Sequence, residues 1–126
     1  MKRVLIVEDQ KEVREILDVV FTKELGFKSV TFACDGLEGF AESSLQKFDL
    51  ICTDHGMPFF SGGDLVAALR AKPGFNQQTP VIMISALIPE LPEKLKGLES
   101  LYFVEKPIDY ERLRRYVRMA MNSSKK

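Results

Sequence analysis

Val4-Leu5-Ile6-Val7-Glu8-Asp9 begins with four apolar residues in succession and ends in two acids. A run that is apolar on both of its faces is typical of a strand in a parallel sheet, where helices cover both sides. Four similar runs follow along the chain: Val30-Thr31-Phe32-Ala33, Leu50-Ile51-Cys52-Thr53, Val81-Ile82-Met83-Ile84 and Leu101-Tyr102-Phe103-Val104. The sequence therefore predicts five buried strands in one parallel sheet.

Segments of helical period separate these strands, which indicates an α/β fold. In three segments the residues at i, i+3, i+4, i+7 and i+8 are mainly apolar, as on one face of a helix. The three sets are Val13, Ile16, Leu17, Val20 and Phe21; Leu37, Phe40, Ala41, Ser44 and Leu45; and Leu113, Tyr116, Val117, Ala120 and Met121. We expect each set to face the core, with Gly26 ending the first helix.

Two further helices bring the predicted total to five. One is expected from Asp64 through Arg70, where the apolar spacing is again helical. The other would follow the fourth strand, but Pro89 and Pro92 cannot lie inside a helix. We therefore expect this fourth helix of the chain to be short or irregular.

Length and composition exclude several classes of protein. A chain of 126 residues has room for one domain, which we place at residues 1–121 with a flexible tail at 122–126. Eighteen basic residues balance eighteen acidic ones, which disfavours binding to nucleic acid or to an anionic membrane. No apolar run approaches the about 20 residues of a membrane helix, so we expect a cytoplasmic protein. Cys34 and Cys52 lack the spacing of a zinc site, and we expect two buried free thiols.

Polar residues follow four of the five apolar runs: Glu8 and Asp9, Asp54, Ser85, and Lys106. Ligands of an open α/β sheet bind at the carboxyl ends of its strands, so we expect these groups to meet there. Three neighbouring carboxylates need raised pKa values or a cation, and a donor set made only of oxygen favours Mg²⁺. With a hydroxyl and an ammonium group beside them, they suit phosphoryl transfer to an aspartate.

In this order, the strand-end residues resemble the receiver domain of bacterial two-component response regulators. The motifs that carry the resemblance are Val4-Leu5-Ile6-Val7-Glu8-Asp9, Asp54-His55-Gly56-Met57-Pro58 with Gly62 eight residues beyond Asp54, Ser85-Ala86 and Lys106-Pro107. The resemblance extends over roughly Lys2 to Met121. It implies a flavodoxin-like, doubly wound sheet in the strand order 2-1-3-4-5, and a cis peptide bond between Lys106 and Pro107.

The resemblance also implies roles for individual residues. Asp54 would be the phosphoacceptor, and Lys106 would pair with an oxygen of the phosphoryl group. Ser85 would turn toward that group, and Phe103 would act with it as a switch residue whose rotamer reports phosphorylation.

A magnesium site is implied in the same way. Asp9 and Asp54 would be direct ligands, Glu8 would act through water, and the backbone carbonyl of Gly56 would complete the protein's share. Glu8 departs from the family pattern, in which aspartate is commoner. Gly56 and Leu87 bring no polar side chain to positions that tune attack by water, which predicts slow self-dephosphorylation.

Plainer interpretations of five residues stay open at this point. Asp9 could cap the first helix, and Ser85 could simply begin a turn. Lys106 could be a solvated charge, and Phe103 could be part of the core. His55 is the only histidine, and we expect it on a surface loop rather than in acid–base chemistry.

The implied function is a phosphorylation-activated switch, not an enzyme beyond catalysis of its own phosphorylation and slow dephosphorylation. The donor would be a sensor histidine kinase or a histidine phosphotransfer domain, and the output a downstream protein or a fused domain. One alternative is a Mg²⁺-dependent phosphohydrolase with an aspartyl-phosphate intermediate, which would need an acid in place of Gly56. Another is an interaction module that works without phosphorylation, which a broken pocket would favour.

Overall fold

Five parallel strands form a single sheet in the computed structural model, which describes residues 2–86 and 100–123. The strands are β1 Arg3–Val7, β2 Ser29–Ala33, β3 Leu50–Asp54, β4 Val81–Ser85 and β5 Leu101–Glu105. Their order across the sheet is β2-β1-β3-β4-β5, with every neighbouring pair parallel. The predicted strands, the strand order and the flavodoxin-like α/β class are confirmed.

Four α-helices lie within the described residues: α1 Lys11–Val19, α2 Gly36–Leu45, α3 Gly62–Ala71 and α4 Tyr110–Ser123. Helix α1 continues as a π-helical turn over Val20–Glu24, and Gly26 then adopts a φ of 73°, as expected for a helix end. The short or irregular helix predicted near Pro92 lies outside the described residues. Helix α4 extends two residues into the segment predicted as a tail, and residues 124–126 lie outside the described part.

The helices cover both faces of the sheet and create two hydrophobic clusters. Alternate residues of β1 show this division, since Val4 and Ile6 belong to one cluster and Leu5 and Val7 to the other. The first cluster contains residues of α1 and α4, and the second contains residues of α3. This two-sided burial explains why the strands are apolar on successive residues.

Helix α2 does not bury the face that its sequence pattern predicts. All five residues of the predicted core-facing set are exposed: Leu37, Phe40, Ala41, Ser44 and Leu45. The buried residues of the helix are Gly36, Gly39 and Ser43. The predicted helix is therefore present, but the prediction of its buried face is wrong. In α1, Ile16 is also 48% exposed, whereas the rest of that set and the whole α4 set are buried or half-buried.

Close approach of the backbone explains the orientation of α2. A Cβ atom at Gly39 would lie 2.8 Å from Cγ2 of Val7, and one at Gly36 would collide with the carbonyl oxygen of Phe60. Only the glycine face allows the helix to lie this near β1 and the loop after β3. Here the size of the side chains outweighs their hydrophobicity, because a wider face would push the helix away from the sheet.

The two cysteines differ in their surroundings. Cys52 on β3 is buried, as predicted, and its burial raises the pKa of the thiol above the ordinary range. Cys34 follows the end of β2 and is exposed, so the expectation that both thiols are buried is wrong for Cys34. Among the described residues, no helix combines the length and the apolar character needed to cross a membrane.

Candidate functional site

The carboxyl ends of four neighbouring strands carry the polar residues singled out by the sequence. Glu8 and Asp9 follow β1, Asp54 ends β3, Ser85 ends β4, and Lys106 follows β5. Because these strands are adjacent and parallel, their ends lie at the same edge of the sheet. Residues almost a hundred positions apart in the chain therefore lie around one cleft.

Three carboxylates form the centre of this cleft. Ligand oxygens of Glu8, Asp9 and Asp54 all lie within 4.8 Å of one another. Glu8 and Asp54 are only 1% and 5% exposed, whereas Asp9 lies at the surface. The cluster is thus buried on the sheet side and open to solvent beside Asp9.

Glu8 is buried in surroundings that disfavour its ionised form. Its Oε2 accepts a hydrogen bond from the backbone N–H of Gln10 at 3.1 Å, but its buried Oε1 has no hydrogen-bond partner. The pKa of Glu8 is raised to about 7, mainly by burial. The Gln10 hydrogen bond and Lys106 oppose this rise, whereas the Asp9 side chain and the charge of Asp54 add to it. A cation at this point would relieve both the missing contact and the repulsion between the acids.

Asp54 is fixed through both of its carboxylate oxygens. Oδ2 lies 3.3 Å from Nζ of Lys106, and Oδ1 accepts a hydrogen bond from the backbone N–H of Gly56 at 3.2 Å. Lys106 in turn donates its backbone N–H to the carbonyl of Ser85 at 2.7 Å. The lysine, the aspartate and the end of β4 therefore form one connected unit, and the peptide bond between Lys106 and Pro107 is cis, as predicted.

The other predicted residues lie beside this unit. Ser85 is 8% exposed and stands one residue beyond Ile84, which pairs with Asp54 across the β3–β4 register. Phe103 pairs with Met83, is half-buried, and packs against the second hydrophobic cluster. Gly56 is exposed at the mouth of the cleft.

The structure also tests the plainer interpretations of Asp9 and His55. The N-cap of α1 is Gln10 and no side chain caps that helix, so the capping interpretation of Asp9 is wrong. His55 lies in the loop after β3 but is half-buried, and its Nδ1 accepts a hydrogen bond from the backbone N–H of Gly63 at 3.1 Å. His55 thus fastens the loop to the start of α3.

Two supporting contacts were not predicted from the sequence. Arg14 donates from Nη1 to the carbonyl oxygen of Glu8 at 2.8 Å, which fixes the turn between β1 and α1. Gly62 lies so close to Asp54 that a Cβ atom would stand 2.6 Å from the carbonyl oxygen of Asp54. No sequence pattern indicated the Arg14 contact, since Arg14 lies on the polar face of a helix. Gly62, in contrast, was already part of the motif that follows Asp54.

A family model provides the decisive comparison: the model described as "Response regulator receiver domain" matches residues 4–118. The chain belongs to the response regulator receiver domain family. The receiver domain is 30% identical to the transcriptional regulatory protein PcoR of Escherichia coli over 99% of this chain, but over only 54% of PcoR. It is 30% identical to a probable chemotaxis protein CheY of Rhizobium etli, covering 89% of this chain and 86% of that protein.

Solved structures agree with this assignment. The receiver domain of the Francisella response regulator 1452 superimposes with a TM-score of 0.81 and 29% identity, covering 98% of this chain and 99% of that chain. The chain spans about half the length of transcriptional regulators such as PcoR. Receiver domains of two-component systems are signalling switches, are generally not classed as enzymes, and bind Mg²⁺ at an acidic site.

Proposed function

We propose that this receiver domain accepts a phosphoryl group on Asp54 with Mg²⁺ bound, and that phosphorylation changes its affinity for a downstream partner. One observation carries the proposal: three carboxylates lie within 4.8 Å of one another while Nζ of Lys106 lies 3.3 Å from the carboxylate of Asp54. An acceptor, a cation site and a fixed positive charge are the groups that phosphoryl transfer requires.

The residues of the cleft fit a magnesium ion. Their donors are all oxygen atoms, and the unpartnered Oε1 of Glu8 is a buried acceptor that lacks a positive group. Asp9 and Asp54 would be direct ligands, Glu8 would act through water, and the carbonyl of Gly56 would complete the set. When bound, the ion offsets negative charge on the phosphoryl oxygens.

The chain's own groups account for the transfer. A carboxylate oxygen of Asp54 attacks the phosphorus of a phosphohistidine, the P–N bond breaks, and the departing imidazole keeps the electron pair and takes up a proton. Gly56 holds Oδ1 of Asp54 in place through its N–H. Lys106 stabilises the charge that develops on the phosphoryl oxygens.

Ser85 and Phe103 supply the switch in this proposal. Ser85 ends the strand beside Asp54, and Phe103 is half-buried on the next strand. The phosphoryl oxygens on Asp54 accept a hydrogen bond from the Ser85 hydroxyl and draw it toward them, and Phe103 turns into the space that this movement leaves.

The proposed donor is a sensor histidine kinase or a histidine phosphotransfer domain in the cytoplasm. The proposed output is a downstream protein or a fused domain, as relatives such as PcoR, named a transcriptional regulatory protein, are about twice as long. The balanced charge of the chain supports a role without direct contact to nucleic acid or membrane.

Incubation with acetyl phosphate and Mg²⁺ tests the proposal by intact-protein mass. We expect one phosphoryl increment, which Asp54→Asn abolishes. The matched control is Asp35→Asn, because Asp35 caps α2 by accepting from the N–H of Glu38 and asparagine caps equally well. No increment on the native chain would overturn the proposal in favour of an interaction module. Steady release of phosphate from many esters would overturn it in favour of a phosphohydrolase.

A further inference from the structure

One side of helix α2 presents an apolar surface that the rest of the described chain leaves uncovered. This surface, called the α2 face below, consists of Leu37, Phe40, Ala41 and Leu45 together with Phe75 from the loop before β4. Eight large hydrophobic side chains are exposed in the described residues, and four of them lie here. Such a concentration marks an interaction site more often than an ordinary surface.

The leucines of the α2 face take no part in the hydrophobic clusters of the described chain, whereas Phe40 makes an edge-on ring contact with Phe60. The helix packs through Gly36, Gly39 and Ser43, and neither hydrophobic cluster contains Leu37 or Leu45. These leucines are 62% and 73% exposed. Leucine at such positions contributes little to the stability of the monomer, so these side chains are available for a contact outside it.

A groove lies beside the exposed side chains of the α2 face. An open cavity of about 520 Å³ lies between α2 and the segment that follows α3. Phe40 and Ser44 line one side, and Leu69, Pro73 and Phe75 line the other. The volume and the apolar lining of this groove suit a leucine side chain such as that of Leu45.

Charges border the α2 face on opposite sides. Lys72 lines the groove next to Phe40, whereas Glu38 and Glu42 follow the other flank of the helix, because residues at 100° intervals place them away from Phe40 and Ser44. A twofold axis parallel to α2 would set the acidic border of each copy against the basic border of the other. The formal net charge is zero, so no overall repulsion opposes this contact.

We propose that the α2 face binds the α2 face of a second copy of this chain. The two α2 helices lie parallel, and Leu45 of each copy enters the groove beside Phe75 of the other. The contact is a symmetric one, so every projecting leucine has a groove to fill. It does not require phosphorylation of Asp54 and stands independently of the function proposed above.

Sedimentation velocity of the full chain, from low micromolar to near-millimolar concentration, tests the inference. We expect the mass to rise from 14.3 kDa toward twice that value with concentration. Leu45→Lys should raise the concentration for half-association by about tenfold or more, because it places an unpaired ammonium group in an apolar groove. Met119→Lys, at a 48% exposed site on α4, is the matched control and should change nothing.

Charge-reversal variants test whether the partner that binds the α2 face is a second copy of this chain. Glu38→Lys and Lys72→Glu should each weaken association, and the double variant should restore it, because the two borders meet only between copies of this chain. A monomer at every concentration would overturn the inference, as would equal weakening by Met119→Lys or failure of the double variant to restore association. A large fall in the melting temperature of monomeric Leu45→Lys would assign the face to the chain's own interior and would also overturn it.

Discussion

Glu8 is a buried acid whose surroundings favour its neutral form. Burial, the Asp9 side chain and the charge of Asp54 raise its pKa from 4.5 to about 7. Between these values Glu8 binds more protons in the folded protein than in the unfolded chain. Its contribution to the free energy of unfolding is therefore largest below about 4.5 and is lost as the pH rises through about 7. Without a cation, the ionised cleft therefore destabilises the fold.

Replacing this acid tests the relation directly. In EDTA at pH 8, Glu8→Gln should raise the free energy of unfolding by on the order of 1 kcal/mol, because a buried charge is removed. At pH 5 the gain should shrink, and Mg²⁺ should stabilise the variant less than the native chain. Urea denaturation measures both effects, with Glu12→Gln on the exposed side of α1 as control. A gain of equal size at both pH values would contradict the explanation.

Lys106 opposes cation binding although it belongs to the same cleft. Its Nζ lies 3.3 Å from Oδ2 of Asp54, so it repels any cation that binds there. Lys106→Ala should leave Mg²⁺ affinity unchanged or raise it several-fold, while blunting the response to phosphorylation. Calorimetric titration with Mg²⁺ measures the affinity, and Lys11→Ala, at an exposed ion pair on α1, is the control. A large loss of affinity in Lys106→Ala would show that the lysine is misplaced in this scheme.

At the level of elements, a buried asparagine ties the end of α2 to the sheet. Oδ1 of Asn76 accepts from the N–H of Phe48 at 2.8 Å, and Nδ2 donates to the carbonyls of Ser43 and Gln46 at 2.6 and 2.8 Å. The residue is 1% exposed, so no water replaces these bonds when they are lost. This one side chain therefore connects the end of α2 to the segment that leads into β3.

Asn76→Ala should therefore lower the free energy of unfolding by about 2–3 kcal/mol, since several buried polar groups lose their partner at once. Thermal unfolding followed by circular dichroism measures the change. The control is Gln78→Ala, two positions away and exposed, for which we expect a change within about 0.5 kcal/mol. Equal effects of the two substitutions would contradict the importance of the buried bonds.

The strands could be predicted from the sequence more accurately than the helices, for a physical reason. Strands buried on both faces leave an unbroken apolar run, so all five were predicted within about one residue. A helix leaves a periodic pattern, which indicates its existence but not which flank packs. In α2 the apolar flank was chosen, whereas Gly36 and Gly39 determine the packing because only they permit close approach.

For the whole molecule, topology explains why the site could be predicted at all. Parallel strands place their carboxyl ends together, so Asp54 and Lys106 were expected to meet although fifty-two positions separate them. The connection of His55 to α3 could not be expected, because it depends on the path of one loop. Sequence thus predicts which groups meet, and the packing of loops decides how each is held.

The absence of a side chain at Gly56 should affect the lifetime of the phosphorylated protein. A Cβ atom at Gly56 would lie 3.9 Å from Oδ1 of Asp54, so the site has room for a side chain that the native chain does not supply. We expect slow loss of the phosphoryl group, and a several-fold faster loss in Gly56→Asn, whose amide can orient water. Intact mass after removal of the donor measures the decay, and Gly74→Asn, at an open surface position, is the control. A native lifetime as short as that of the variant would contradict this expectation.

The contrast between the two thiols has a practical use. Cys34 is exposed, whereas Cys52 is buried with a pKa raised above its ordinary range, and the chain has two cysteines in all. A maleimide dye should therefore label the unaltered protein once, at Cys34. The carbonyl of the preceding residue, Ala33, accepts the N–H of Glu8 at 3.0 Å, so the fluorophore would report from the rim of the cleft without any engineered substitution.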